Sequence, residues 1–393
     1  MRVQSLLRPI IAALAMGIAA LPALGEVQLR VAYLRQEVER PPVLSNLDPE
    51  PAGLGLDGAR LGLEDNRTSG RFLGQTYMLD TYEVAIGGDL EAAARAALAE
   101  ARMLVIDAPA EAVLRIADLA EAQGALLFNA AAEESALRDA DCRANLLHTV
   151  PSLAMRADAL MQVLQRKRFS RLAMITGHGA PDLAYAEALR RSAAKFGLRI
   201  VADTPWPFDA DMRRNASQEV PLFTQDFAEH DILLVADEIG DFGRYIAYNT
   251  WSPRPVAGSE GLVPVTWSRV VEQWGAAQLQ SRFWDLTGRD MRPRDYAAWA
   301  ALRVLGEAVT RTDSTDPATL RAYILSDAFE LAGFKGRPMS FRHWNGQLRQ
   351  PIPVVTERAV VMQAPVEGFL HQRSELDTLG LDAPESRCTA FQE

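Results

Sequence analysis

The chain has 393 residues, enough for two domains with sizeable cores or one large one. Hydrophobic residues make up 48% and charged residues 23%, ordinary for a soluble globular protein, which excludes a disordered chain and a polytopic membrane protein. Lys and Arg number 41 against 51 Asp and Glu, a formal charge of -10; with no basic block to neutralise phosphates, no nucleic-acid partner is expected.

In chain order, Arg2 and Arg8 precede an apolar run over 10–21, followed by Pro22 and the small residues Ala23 and Gly25. A cationic start, a short apolar centre and small residues at a cut are the layout of a secretory signal peptide, expected over 1–25 and cleaved near Gly25. The run is too short to span a bilayer comfortably. No cysteine follows the cut, so no lipid anchor is expected, and the mature chain is expected in the periplasm. Cys142 and Cys388 are the only cysteines. Two exclude a cysteine-rich scaffold, and an oxidising compartment permits the bridge between them.

From residue 27 the pattern alternates strand and helix. Strands are predicted over 27–34, 77–84, 103–106 and 125–128, with helices over 59–66, 90–102 and 111–123. Asp89 is placed to cap the second of these helices. The rhythm restarts after His148. Helices are predicted over 153–166, 181–196 and 239–249, the second stopped by Gly197, with strands over 172–176, 198–202, 232–236 and 255–257. Short apolar strands joined by helices imply parallel sheets covered on both faces. The third part differs: long helical stretches over 270–287 and 296–311, and a helix opened by Asp316 and Pro317, give way to strands over 339–342, 352–355 and 359–363. From residue 367 the chain is polar and irregular. The predicted fold class is α/β, with two doubly wound parallel-sheet lobes joined by a three-segment hinge. One lobe is expected from 27–147 plus 264–331, the other from 150–262 plus 332–366, with a tail over 367–393.

Catalytic patterns are weak. The run from Gly53 to Gly58 (GLGLDG) matches a dinucleotide-binding glycine pattern, but that pattern must follow a strand directly, and here a long loop intervenes. It reads as a loop leading into a helix. His148, His178, His230, His343 and His371 share no metal-binding spacing on one helix. Ser259, in AGSEG, lacks the first glycine of a nucleophile elbow. No nucleophile–base pair emerges, so no enzyme activity and no cofactor are expected.

What remains is a set of polar residues after predicted strands, where open α/β sheets place ligands. Arg35, Gln36, Glu37, Glu39 and Arg40 follow the first strand. Asp107, Asn129, His178, Asp237, Glu238 and Glu260 follow others. The candidate ligand-binding set is Glu37, Asp107, Asn129, His178, Asp237, Glu238 and Glu260. A net acidic crevice is expected, built from Glu37, Glu39, Asp237, Glu238 and Glu260, with Arg35, Arg40 and His178 available as compensation.

With export, two doubly wound lobes and late return strands, the chain resembles the type I periplasmic substrate-binding proteins, nearest the branched-chain amino acid receptors of ATP-driven transporters. The stretch GARLGLEDNRTSGRFLGQTYMLDTYEV resembles that family's first helix, turn and second strand. HTVPS resembles the crossover to the second lobe, residues 172–202 its first strand–helix–strand, and AGSEGL the strand end where the chain returns. The stretch AYLRQEVERPPVLSNLDPEPAGLGLDGARL is similar to a subgroup associated with pyrroloquinoline-quinone (PQQ)-dependent alcohol dehydrogenase systems. The resemblance implies a monomeric receptor that closes on a small molecule and delivers it to an inner-membrane ABC permease. A sensing or scaffold protein of the same fold is the alternative. The chain departs from the amino acid receptors after the fourth strand. There it reads Asn129-Ala130-Ala131-Ala132-Glu133-Glu134-Ser135 in place of hydroxyl-rich residues that hold a carboxylate. Amino acid binding is therefore not carried over. A small polar organic ligand is expected, with a cation (a metal ion included) and an anion left as alternatives.

Overall fold

The computed structural model describes residues 27–39, 49–208 and 215–391. The expected signal peptide, Arg40 and most of the proline-rich loop lie outside the described residues.

The first sheet collects β1 (Val27–Gln36), β2 (Gln75–Val84), β3 (Met103–Asp107), β4 (Leu126–Asn129) and β5 (Leu146–His148) in the order β2-β1-β3-β4-β5, all parallel. Its strands are apolar because helices cover both faces. The covering helices from this stretch are α1 (Leu56–Leu73), α2 (Leu90–Glu100) and α3 (Ala110–Ala117). Asp89 caps α2 by accepting from the Ala92 amide.

After β5 the chain crosses to α4 (Leu153–Arg166), whose Ser152 cap accepts from the Met155 amide. The second sheet runs β7-β6-β8-β9, again parallel, from β6 (Arg171–Thr176), β7 (Arg199–Pro205), β8 (Ile232–Ala236) and β9 (Val256–Gly258). Helices α5 (Ala180–Lys195) and α6 (Ala216–Thr224) belong to this half. The chain then passes through β10 (Val263–Pro264) into α7 (Ala276–Thr287), α8 (Pro293–Thr312) and α9 (Pro317–Ile324). Trp299, Leu302 and Leu305 of α8 share one core with Val31, Tyr33 and Leu61. A β-hairpin of β11 (Ser340–Phe341) and β12 (Leu348–Arg349) follows, and its Phe341 and Leu348 belong to that same core. Next come β13 (Ile352–Val355) and β14 (Val360–Ala364), antiparallel beside β10; Ile352, Val354 and Ala364 pack instead with α4, β6 and β8.

The connecting segments are stitched together by a buried lysine. Lys335 Nζ donates to Gln350 Oε1 at 2.6 Å and to the Pro351 carbonyl at 3.1 Å. Gln350 Nε2 in turn donates to the Thr149 carbonyl at 2.8 Å. Burial pushes the Lys335 ammonium well below the usual lysine range.

Local structure departs from the sequence pattern in several places, each with a physical cause. The helix expected from residue 270 begins only at Ala276, because Trp274 and Gly275 adopt left-handed backbone. The helix expected over 239–249 is a single 3₁₀ turn, Gly243–Tyr245, because the Asp237 carboxylate takes the amides of Asp241, Phe242 and Gly243. Helix α6 has no counterpart in the pattern, and its interior Pro221 argues against one. The tail is irregular in backbone but not loose. Leu376, Leu379 and Cys388 are buried, and Cys388 is joined to Cys142 with Sγ–Sγ 2.07 Å.

Candidate functional site

A cavity of about 620 Å³ opens between the two parallel sheets, at the carboxyl ends of their strands. One wall carries Gln36, Leu54, Asp107, the loop Ala130–Glu134 and Arg292–Arg294; the other carries Leu153, Arg156, Ala180, Pro181, Ala184 and Glu238.

On the first wall, Asp107 ends β3 and is 2% exposed. It accepts from Tyr33 Oη at 2.8 Å and faces Arg294 Nη1 at 3.4 Å. Burial, then the Asp107 charge, push the Tyr33 phenol well above its usual range, so it stays a donor. The glycine-rich run is explained here. A Cβ on Gly55, which has φ +83°, would lie 2.4 Å from Tyr33 Oη, and one on Gly58 would lie 1.8 Å from the Asp295 carbonyl. These glycines let α1 approach Tyr33 and α8.

Asn129 is buried under the adjoining loop. Its Oδ1 accepts from the amides of Ala131 and Ala132 at 3.1 and 2.8 Å, and its Nδ2 donates to the Ala132 carbonyl at 2.7 Å. Asn129 Nδ2 also lies 3.1 Å from Nδ1 of His148, whose protonation burial disfavours. Two backbone donors of the loop are thus spent on Asn129. Arg138 lies beneath, fully buried, donating to the carbonyls of Ala132, Glu134 and Val150 and to Gln347 Oε1. Burial lowers its pKa to about 10, which leaves it charged at neutral pH.

On the second wall, Arg156 stands in the first turn of α4 and is 9% exposed. Its Nη1 donates to Glu133 Oε2 at 2.5 Å and to Glu238 Oε2 at 2.7 Å, and its Nη2 to Glu238 Oε1 at 3.1 Å. Its guanidinium lies 4.7 Å over the Tyr185 ring. Glu238 also accepts from Ser259 Oγ at 2.8 Å. The two carboxyls on this one arginine differ. Burial raises both, but the charge of Arg156 and the hydrogen bonds from Arg156 and Ser259 outweigh it at Glu238, whose pKa falls. At Glu133 burial prevails over Arg156, helped by the Glu238 charge, and its pKa rises.

Of the residues singled out in the sequence, Gln36, Asp107 and Glu238 line the cavity and Asn129 shapes its loop. The others are placed elsewhere. His178 donates Nε2 to the Trp206 carbonyl at 2.6 Å, Asp237 organises its own turn, Glu260 lies beside Gly243, and Glu37 is exposed. Arg35 donates to the Ala52 carbonyl, and neither it nor His178 lines the cavity. The compensating cations are instead Arg156, Arg292 and Arg294, facing Asp107, Glu133, Glu134 and Glu238. The sequence reading passed over all three arginines. The available signal was an arginine set in a largely apolar helical stretch, LAMRADALM, just past a Ser cap. Among the described residues, no group of three or more His, Cys, Asp or Glu could hold a metal ion, and no helix is long and apolar enough to cross a membrane.

Solved structures share this fold. A leucine-, isoleucine-, valine-, threonine- and alanine-binding protein from Brucella ovis, in a closed conformation, aligns with TM-score 0.65 at 16% identity, over 86% of this chain and 92% of that one. A branched-chain amino acid ABC transporter periplasmic ligand-binding protein from Burkholderia xenovorans aligns with TM-score 0.67 at 16% identity, over 93% and 100%. A periplasmic binding protein from Burkholderia mallei gives 0.66 at 14%, over 94% and 100%. The chain has the type I periplasmic binding protein fold. No family model matches the chain, and no curated protein sequence matches it. The cavity is lined by residues that follow strands of both parallel sheets.

Proposed function

We propose that the chain is a periplasmic solute receptor. A small molecule enters the cavity between the lobes, the lobes close about their hinge, and the closed form delivers the molecule to an ABC permease, with no bond made or broken. The observation that carries this reading is the cavity itself. It is large enough for a small organic molecule and is lined from both sheets, so a ligand seated there touches both and favours closure. The reading includes lobes that are discontinuous in sequence, 27–147 with 264–331 and 150–262 with 332–366. Supporting this are the core shared by α8 and the first sheet and the core shared by β13, β14 and α4. The hairpin β11–β12 falls within 332–366 but packs with the first core, so we draw the return to the second lobe after it, at β13.

The reading also includes a place beside PQQ-dependent alcohol oxidation, supported by the likeness of residues 32–61 to receptors associated with such systems. Of the sequence-derived site residues, Asp107 and Glu238 are assigned ligand contact and Asn129 the shaping of the loop. Native mass spectrometry of protein purified from its own periplasm, paired with small-angle scattering, tests the reading. A co-purifying small molecule whose removal opens the particle is expected. A ligand-free particle whose dimensions no periplasmic extract changes counts against it.

A further inference from the structure

The cleft is acidic by count, yet two of its acids are already occupied by one arginine. Glu133 comes from the loop after β4 and Glu238 from the end of β8, and both converge on one guanidinium. Arg156 is held there by Glu133, by both oxygens of Glu238, by the Pro264 carbonyl, which accepts from Nε at 3.3 Å, and by the face of Tyr185 at 4.7 Å. Two carboxylates and an aromatic face are what a protein assembles to hold a cation. Here the cation is part of the chain. Of the other charged lining residues, Asp107 faces Arg294, with Glu134 and Arg292 nearby, and the remainder is largely apolar, with Leu54, Ala108, Pro109, Val150 and Leu153 among it.

We propose that Arg156 is a resident cation occupying the cationic subsite of the cleft, and that the receptor therefore takes short organic molecules without a positive charge and rejects those bearing an ammonium group. The proposal rests on the receptor reading above and names its ligand class. An incoming ammonium finds Glu133 and Glu238 engaged and meets Arg156 as a like charge, a repulsive element that sets specificity. The apolar wall offers room for a short chain.

The test compares the full-length mature protein with Arg156→Ala and Arg156→Lys. Each is titrated with leucine, n-propylammonium, ethylguanidinium, the neutral isostere ethylurea, and a panel of short alcohols, aldehydes and carboxylic acids, by calorimetry and thermal shift. For the wild type, no saturable binding of leucine or propylammonium is expected, and a member of the uncharged or acidic panel binds. Arg156→Ala vacates the subsite, so ethylguanidinium should bind it at least about tenfold better than ethylurea and raise its melting temperature. Arg156→Lys keeps a cation and should reject leucine as the wild type does. Saturable leucine or propylammonium binding by the wild type overturns the resident-cation proposal while leaving the receptor reading intact. If Arg156→Ala does not fold, the wild-type and Arg156→Lys titrations decide alone. A wild type that binds nothing in the panel, with Arg156→Ala still selecting ethylguanidinium, supports the subsite and counts against the receptor reading.

Discussion

The cleft and the carboxyl-terminal tail each centre on a buried arginine, but the partners differ in kind. In the cleft, Arg156 engages two carboxylates from separate lobes and one carbonyl, that of Pro264. In the tail, Arg342 is 1% exposed and engages one carboxylate, Asp377, and three carbonyls, those of Leu376, Leu379 and Leu381. The carbonyls belong to one short stretch whose geometry the backbone fixes, so they leave Arg342 only if the tail unfolds. Glu133 and Glu238 are carried on different sheets and part if those sheets rotate. The same residue type therefore fastens in one region and can respond in the other.

The tail is fastened at both ends. Gly380 donates its amide to Asp158 Oδ2 at 2.8 Å, and Lys195 Nζ holds both that carboxylate, at 2.8 Å, and the Gly380 carbonyl, at 2.9 Å. Beyond it, Arg387 pairs with Asp139 at 2.7 Å and Cys388 is bonded to Cys142. The strap thus runs from α4 and α5 of one lobe to the loop after β4 of the other. Replacing both cysteines by serine is the strongest way to loosen it. Loop-closure entropy for a span of 246 residues sets the loss at no more than about 5 kcal/mol. Thiol titration of the denatured, unreduced wild type should find no free thiol, and denaturant unfolding of the double variant should show the loss. Two titratable thiols in the wild type would contradict the bridge.

Next in size is Arg342→Met. It leaves the Asp377 carboxylate buried with Arg349 as its remaining partner, at 2.8 Å, and strips donors from three carbonyls. Breaking a buried pair from one side costs about 3–5 kcal/mol. Hydrogen exchange should localise the damage to residues 376–388 and spare the cleft. Uniform loss of protection across both sheets would show that Arg342 supports the whole fold and that the contrast with Arg156 is false.

That contrast also explains what was legible in the sequence. Buried parallel strands read as apolar runs, so β3, β4, β6 and β8 stand out, and with them the architecture. The residue after such a strand is a weaker guide. Asp237 follows β8 and Asn129 ends β4, yet their oxygens are spent on neighbouring backbone amides, a use that leaves the same pattern as a ligand contact. Arg156 lay hidden for the opposite reason. It sits on a helix buried without interruption over Leu153–Leu164, where helical periodicity separates no polar face. Glu133 was visible, but as a source of repulsion; its partner lies 23 residues on and across the cleft. The tail looked loose because long-range carbonyl acceptors carry no sequence signature.

A smaller effect sharpens the comparison inside the cleft. Glu238→Gln removes the charge that Arg156 grips with two nitrogens and Ser259 supports. A charge-assisted hydrogen bond is worth about 1.5–3 kcal/mol, so a loss of that order is expected at neutral pH. Glu133→Gln should cost less, about 1 kcal/mol or below, because ionised Glu133 already bears a burial penalty that its single bond to Arg156 does not cover. A larger loss at Glu133 than at Glu238 would reverse the assignment of which acid anchors Arg156.

The smallest effect is a difference in pH slope, and its sign is fixed by the two carboxyls. Burial holds the Glu133 pKa above 4.5, its ordinary value, so just above that value the folded chain keeps a proton the unfolded chain has lost. Stability from Glu133 is therefore highest at low pH and falls as pH rises through that window. Glu238 is opposite: burial raises its carboxyl, but Arg156 and Ser259 draw it below 4.5. Its contribution is present above the unfolded value and is lost as pH falls through the folded one. Glutamine titrates in neither state. Relative to wild type, Glu133→Gln should gain stability as pH climbs from about 4.5 toward neutral, and Glu238→Gln should lose stability as pH climbs from below that value. Denaturant unfolding at matched ionic strength across this range gives both difference curves. If they slope the same way, the two acids are equivalent partners of Arg156 and the cleft has no preferred anchoring lobe; if they diverge, Glu238 holds the arginine and Glu133 is the contact freed first when the lobes part.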